Sequence, residues 1–216
     1  MPRNINGLTS ARNRILELRE ASDTRILVGI VGKPGAGKST VTSKLRELLP
    51  KEETTILSQD GYHLSNAQLK DLGRSDRKGA PDTFDPISFT QLLKRVATDL
   101  ESDIYFPMFH REIEESIAAE GVISSKTKIV LVEGNYLLLE THGWHEVATQ
   151  LHETWYLKID DEIRLTRLVA RHIEYGKDSN FAHEWAHGTD EVNARLIEAT
   201  KERADAFLTM IEDEPV

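Results

Sequence analysis

Gly32-Lys33-Pro34-Gly35-Ala36-Gly37-Lys38-Ser39-Thr40 follows directly on the apolar run Ile26-Leu27-Val28-Gly29-Ile30-Val31. Gly32, Gly37, Lys38 and Ser39 occupy the fixed positions of the phosphate-loop pattern G-x-x-x-x-G-K-[ST]. The chemistry requires that order. Glycines let backbone N–H groups close around phosphate oxygens, the lysine brings a point charge to the β and γ oxygens, and the next hydroxyl reaches Mg²⁺. The flanks agree with it. The run before the loop is β-branched and bounded by Gly32, as a buried strand should be. After it, Val41, Leu45, Leu48 and Leu49 fall at helical spacing until Pro50 stops the helix. Strand, loop and helix N-terminus form an anion site, so Gly32 to Thr40 are the expected nucleotide contacts, with Lys38 also catalytic and Ser39 on the metal.

Whole-chain properties are consistent with one enzyme domain over 1–216. A chain of 216 residues can bury one large core. Its net charge of −9 opposes broad contact with a nucleic-acid polymer or an anionic membrane, whereas a small anion needs only a local basic site. There is no cysteine, hence no disulfide and no thiolate zinc site. No apolar stretch approaches membrane-spanning length and no signal-type core opens the chain, so a cytoplasmic protein is expected.

Outward from the loop, Leu8, Ala11, Ile15 and Leu18 predict an amphipathic helix within residues 1–25. Thr54 to Ser58 reads as a second strand. Gln59-Asp60-Gly61-Tyr62-His63 then sits at that strand's carboxyl end, where open α/β sheets gather ligands. The polar stretch 61–85 carries Arg74, Arg77, Lys78 and Gly79, and Asp85 with Pro86 starts a helix whose buried face is Phe89, Leu92, Leu93, Val96 and Leu100. Segment 103–128 holds the aromatic run Tyr105 to Arg111, and Ile113 to Lys128 reads as a hairpin or extended loop. Ile129-Val130-Leu131-Val132 predicts a buried strand that delivers Glu133 toward the Mg²⁺ region, followed by Asn135 and Tyr136. A short helix and loop over 137–150, a fourth strand over 154–159, a lid over 160–178, a helix over 190–204 packed through Val192, Leu196 and Ala199, and a fifth strand over 206–211 complete the reading. Arg164, Arg167 and Arg171 share one face of the lid helix. Arg167 and Arg171 are the expected stabilisers of phosphoryl charge.

Asp60-Gly61-Tyr62-His63-Leu64-Ser65-Asn66, continuing to Arg77-Lys78-Gly79-Ala80-Pro81 and Phe84-Asp85, resembles the segment after the second strand of type I pantothenate kinases. The wider group it is similar to, with uridine kinases and phosphoribulokinases, consists of P-loop enzymes that phosphorylate a small-molecule hydroxyl. The likeness runs from Gly32 to about Asp205. It implies a doubly wound five-stranded parallel sheet in the order 2-3-1-4-5, three layers with a small helical lid, and ATP with Mg²⁺ as cofactors. It also implies that Asp60 is the general base, that Glu133 serves catalysis and the metal, and that Asn193 lies near the adenine. Asp60, Tyr62, His63, Lys78, Phe109, His110, Arg111, Asn135 and Tyr136 become the candidate acceptor contacts. The register departs from the pattern: Phe109-His110-Arg111 stands where pantothenate kinases have Tyr-x-His. The acceptor is thereby left open among nucleosides, pantothenate-like molecules and sugars, and a homodimer is compatible.

Two other classes compete with the kinase. His183-Glu184-Trp185-Ala186-His187 is a literal H-E-x-x-H, which on a helix presents two imidazoles for zinc, with Glu198 or Glu202 as a further ligand. A regulatory ATPase without a metabolite acceptor would carry the same loop, although Asp60 beside an acceptor pocket disfavours it. No Asn-Lys-x-Asp sequence is present, which disfavours a GTPase.

Overall fold

The computed structural model describes residues 1–211. Residues 212–216 of the expected domain lie outside them. In chain order the elements are β1 (Arg3–Asn6), α1 (Gly7–Glu20), β2 (Ile26–Val31), α2 (Lys38–Leu48), β3 (Thr54–Ser58), α3 (Asn66–Asp71), α4 (Pro86–Thr98), β4 (Ile104–His110), β5 (Glu115–Ile123), β6 (Ile129–Gly134), β7 (Glu153–Lys158), α5 (Asp161–Glu174), α6 (Ser179–His187), α7 (Thr189–Glu198) and β8 (Ala206–Thr209). The central sheet runs β3-β6-β2-β7-β8-β1, and every pairing in it is parallel. The five expected strands therefore stand in the expected order. β1 is a sixth, added at the edge beside β8. Of its Arg-Asn-Ile-Asn only Ile5 is buried, so it lacks an apolar pattern and shows the polar character that protects an edge.

β2 and β6 are buried at every residue, as central strands covered on both faces must be. Their alternate residues feed two cores. Leu27, Val31, Val130 and Val132 join Phe89, Leu93 and Trp144 on one side. Ile26, Val28, Ile30, Ile129 and Leu131 join Ile15, Leu45 and Trp155 on the other. Helices α1 and α2 each lay an apolar stripe on the sheet. Leu8, Ala11 and Ile15 of α1 are buried, while α2 buries Val41 and Leu45 and leaves Leu48 exposed as Pro50 ends the run. Asp85 caps α4 by accepting from the Ser88 N–H at 3.0 Å, and Asp160 caps α5 through Glu162 and Ile163.

Three expectations are corrected. Residues 137–150 form no α-helix. Leu137, Leu138, Leu139 and Trp144 are buried as an irregular segment with one 3₁₀ turn at Ala148–Gln150. α7 ends at Glu198, and it buries Asp190, Asn193, Ala194 and Ile197 while Val192 is 68% exposed. Polar residues occupy its inner face because that face packs beside charged lid groups. β8 stops at Thr209, which leaves Met210 and Ile211 at the cavity rim.

β4 and β5 pair outside the main sheet as an antiparallel hairpin, with a shift in register between Phe106 and Met108. Its inner side buries Ile104, Phe106 and Ile123 against α4 and the first core. Gly121 is required there: a Cβ would lie 2.3 Å from the Phe106 ring. The hairpin thus reaches over the carboxyl end of β3.

Candidate active site

The carboxyl ends of β2, β3, β6 and β7 converge on one cavity of about 1020 Å³, large enough for a nucleotide and a small second molecule. Its floor is the loop from Pro34 to Thr40. Gly35 and Gly37 take φ of 82° and 90°, the left-handed region that side chains resist. A Cβ on Gly35 would also stand 2.7 Å from the Arg164 carbonyl oxygen, so the loop is seated on α5.

Lys38 opens α2 and curls back over the loop. Its Nζ donates to the Gly32 carbonyl at 2.8 Å, the Lys33 carbonyl at 3.2 Å and Asn135 Oδ1 at 2.6 Å. Burial pulls its pKa down to about 8, opposed by the charges of Glu133 and Asp60. Ser39 Oγ donates to Glu133 Oε1 at 3.0 Å, while the buried Glu133 Oε2 has no hydrogen-bond partner. Burial, then the nearby Asp60 charge, raise the Glu133 pKa. A hydroxyl beside an orphaned carboxylate oxygen is a hard oxygen donor set, and it fits Mg²⁺.

Asp60 lies in the 3₁₀ turn Gln59–Tyr62 directly after β3. Its backbone N–H donates to Ser58 Oγ, and its Oδ2 accepts from Arg111 Nη2 at 2.9 Å. Gly61 beside it permits the hairpin to cross, since a Cβ there would meet the Pro107 carbonyl oxygen at 2.1 Å. Burial works to raise the Asp60 pKa, but His63, Arg111, Lys38 and Arg171 together outweigh it and hold the group below the usual carboxylate range. Because burial lowers His63 itself, the lasting positive partners at neutral pH are Arg111, Arg171 and Lys38. Asp60 is therefore an anion. The His63 ring lies between Phe84 and Phe109, with centroids at 3.9 and 4.6 Å, and Lys78 Nζ stands 5.3 Å from the Phe109 centroid.

Of the expected residues, the cavity gathers Pro34 to Thr40, Asp60, His63, Lys78, Phe109, Arg111, Glu133, Asn135, Arg167 and Arg171. Others lie elsewhere. Gly32 contributes its carbonyl to Lys38 but does not line the cavity, and Lys33 turns away to Asp161 at 2.6 Å and Glu198 at 3.4 Å. Tyr62 packs on Phe89 in the core. Tyr136 is buried and donates its hydroxyl to the Gly79 carbonyl. His110 faces outward between Glu112 at 2.7 Å and Glu120 at 2.6 Å. Strand alternation explains that pair: Phe109 and Arg111 look toward Asp60, so His110 looks away. Asn193 is buried in α7 and does not reach the cavity. Arg164 is also buried, bonded to Asp161 and Glu191, so the three lid arginines do not act alike.

Several lining residues escaped the sequence reading. Lys158, Ile159 and Thr209 end or follow β7 and β8, where the carboxyl-end rule for α/β sheets would have found them. Phe181 and Trp185 enter from α6, one turn apart. Asn66 and Phe84 belonged to the stretch that carried the family resemblance but were not singled out as contacts. In the H-E-x-x-H stretch, the rings of His183 and His187 stack at 4.1 Å, and Glu198 is engaged by Tyr156 and Lys201. Among the described residues no three His, Cys, Asp or Glu side chains gather to hold a metal. No helix among them is long and apolar enough to cross a membrane.

A phosphate loop at the carboxyl edge of a parallel sheet, with a lysine, a hydroxyl–carboxylate pair and arginines from a lid, defines a P-loop nucleotide-binding protein. Residues 28–187 match the family described as AAA domain, and the chain belongs to this P-loop family, among kinases of the uridine kinase and pantothenate kinase kind. A Schizosaccharomyces pombe protein named "Putative uridine kinase C227.14" is 28% identical over 92% of this chain and 88% of that one. The pantothenate kinase of Lactococcus lactis subsp. lactis is 27% identical over 87% of this chain and 69% of its own length. Among solved structures, a "putative fructose transport system kinase from Silicibacter sp. TM1040" superposes with a TM-score of 0.84 at 32% identity, covering 94% of this chain and 98% of the other.

Proposed function

We propose that the protein transfers the γ-phosphoryl group of ATP to a hydroxyl of a small metabolite, with Asp60 as the base. The observation that carries this reading is the Asp60 carboxyl, paired to Arg111, on the wall of the cavity that also holds Lys38 and the Ser39–Glu133 pair. Bound Mg·ATP supplies the electrophilic phosphorus. Backbone N–H groups of the loop receive phosphate oxygens, and Lys38 exchanges its carbonyl partners for them. Ser39 and Glu133 would hold the Mg²⁺ ion. Asp60 orients the acceptor hydroxyl and takes its proton, while Arg167 and Arg171 neutralise charge that grows during transfer. No side-chain nucleophile is needed, because the reaction depends on positioning and electrostatics.

On this reading segments 61–85 and 103–128 form the acceptor side. The lid extends past 160–178 to His187, since Phe181 and Trp185 line the same cavity. A free cytoplasmic metabolite suits a cavity of this size better than a polymer or a membrane. The test is ADP release from Mg·ATP against nucleosides, pantothenate and simple sugars, with Asp60→Asn as the blank. Acceptor-dependent release that the variant loses is expected; release that ignores every acceptor and persists in the variant would refute the kinase in favour of a regulatory ATPase.

A further inference from the structure

We propose that the acceptor is an anion, a carboxylate or a phosphate monoester, whose charged group seats between Lys78 and Arg111 against the Phe109 ring. This deepens the kinase reading and rests on it. Charge balance is the first argument. The chain has 36 Asp and Glu against 27 Lys and Arg, yet the cavity is lined by eight lysines and arginines and only five carboxylates. A local reversal of sign in an acidic protein concentrates anions. Lys38, Arg167 and Arg171 lie with the loop and lid, where they answer the nucleotide's own charge. Lys78 and Arg111 come from different segments, the connection after β3 and the hairpin.

Each of these two cations is only partly engaged by the protein and keeps capacity for a ligand anion. Lys78 Nζ donates to Asn66 Oδ1 at 2.7 Å and to the Glu114 carbonyl, both uncharged acceptors. Its nearest carboxylate is Glu114 at 3.4 Å, a side chain half exposed to solvent. Arg111 uses one nitrogen on Asp60, and its other donors have no acceptor among the described residues. The Arg171 guanidinium has no hydrogen bond or ion pair among them either. Burial, then the proximity of Arg111, lower its pKa. Arg111 and Arg171 therefore repel each other beside Asp60, with Asp190 the further carboxylate acting on Arg171, and an incoming anion would ease that repulsion. A neutral sugar or nucleoside would cover these donors without adding the further counter-charge that offsets their dehydration.

Geometry narrows the pose. Lys78 Nζ and the Arg111 guanidinium carbon lie 5.3 and 6.0 Å from the Phe109 centroid, and the Phe84–His63–Phe109 column supplies an apolar wall for a short carbon skeleton. Arg111 presents a planar fork that suits both carboxylate and phosphate. Once part of that fork turns to the anion, Asp60 has an oxygen free for the acceptor hydroxyl. Recognition of the charged end and activation of the hydroxyl end are thus linked through one arginine.

The test is calorimetric titration of the full chain, held with Mg²⁺ and a non-hydrolysable ATP analogue, using glycerol, glycerate and glycerol 3-phosphate. At least one anion should bind about tenfold or more tightly than glycerol. Preference for glycerate marks a carboxylate site, and preference for glycerol 3-phosphate marks a phosphate site. Lys78→Met should bring the three probes together and Lys78→Arg should retain the preference, with melting curves confirming that both variants fold. Three probes equal in the wild type, or a preference that survives Lys78→Met, would overturn the proposal. ADP release separates the two readings. An uncharged acceptor turned over faster than any anion sinks the anion while leaving the kinase; anion binding lost in Lys78→Met without acceptor-dependent release from any compound sinks the kinase and keeps the anion site.

Discussion

Replacing Arg164 by methionine should release the phosphate loop from behind. Arg164 is 1% exposed, and its guanidinium donates to Asp161 at 2.7 Å, to Glu191 at 2.6 Å and to the Pro34 carbonyl at 3.3 Å. Asp161 also accepts from Lys33, so the cluster ties the loop, the start of α5 and α7 into one unit. Methionine keeps most of the buried stem but loses all three bonds. A hydrogen bond to a charged group contributes about 1.5–3 kcal/mol, and an orphaned buried carbonyl costs about 1–3 kcal/mol. Because the Asp161 side chain is 60% exposed and that of Glu191 25%, both carboxylates rehydrate, and the ion-pair share is discounted accordingly. The net cost is about 2–4 kcal/mol, which for a chain of this size lowers Tm by about 4–16 °C. Circular-dichroism melting gives the stability, and titration with Mg²⁺ and an ATP analogue gives the loop's competence, expected to weaken about tenfold. Arg167→Met is the contrast: it faces the cavity, so Tm should hold within about 2 °C while kcat falls about 10²–10³-fold. An Arg164→Met protein that melts with the wild type and binds nucleotide equally well would refute the seating argument.

Asp60→Asn should lower kcat about 10²–10⁴-fold with nucleotide affinity nearly unchanged, and near-wild-type turnover would remove the base from the mechanism. Gly61→Ala forces a Cβ against the Pro107 carbonyl, so the hairpin must shift; a loss of about 1–3 kcal/mol in urea unfolding and a raised acceptor KM are expected, and wild-type values for both would contradict the crossing. Glu153 gives a pH test. Burial raises its pKa, but hydrogen bonds from Arg14 and Trp155 with the charges of Arg14 and Arg3 outweigh that and depress it overall. A carboxyl depressed in the folded state stabilises above its unfolded pKa, about 4.3, and loses that contribution as pH falls through the folded value. Glu153→Gln should therefore cost about 1–3 kcal/mol at pH 7 and progressively less below pH 4, and a pH-independent difference in urea unfolding would disprove the assignment.

How legible each part was depends on how local its cause is. The loop, β2 and the first turn of α2 are contiguous, and glycine conformation with one lysine and one hydroxyl leaves few alternatives for Gly32 to Thr40. Asp60 and Glu133 were legible because each lies at or just past the carboxyl end of an apolar strand, while the strand order that brings them together came from the family resemblance. β1 was not, because Arg3–Asn6 becomes a strand only through pairing with residues two hundred positions away. Side-chain direction was the other gap. Tyr62, His110 and Tyr136 sit beside true cavity residues in the chain, but they point into the core or solvent, and a single step along a strand or turn reverses the face. Arg164 shared a helical stripe with Arg167 and Arg171, and the acids at Asp161 and Glu191 claimed it.

That division has a functional consequence. The phosphate loop itself is built within one strand–loop–helix unit, so any change there alters phosphate binding directly. The acceptor half is assembled from distant segments, with Arg111 reaching Asp60 across 51 residues and Lys78 reaching Glu114 across 36. Its partners meet only because the hairpin crosses at Gly61 and Gly121, where larger residues would collide with Pro107 and Phe106. The backbone of the hairpin is therefore constrained, while Phe109 projects from it into the cavity and Lys78 reaches in from the connection after β3. Substitution at those positions can change which acceptor is held without disturbing the loop. This is a physical route by which relatives sharing one phosphate loop can bear the names of kinases for different small molecules.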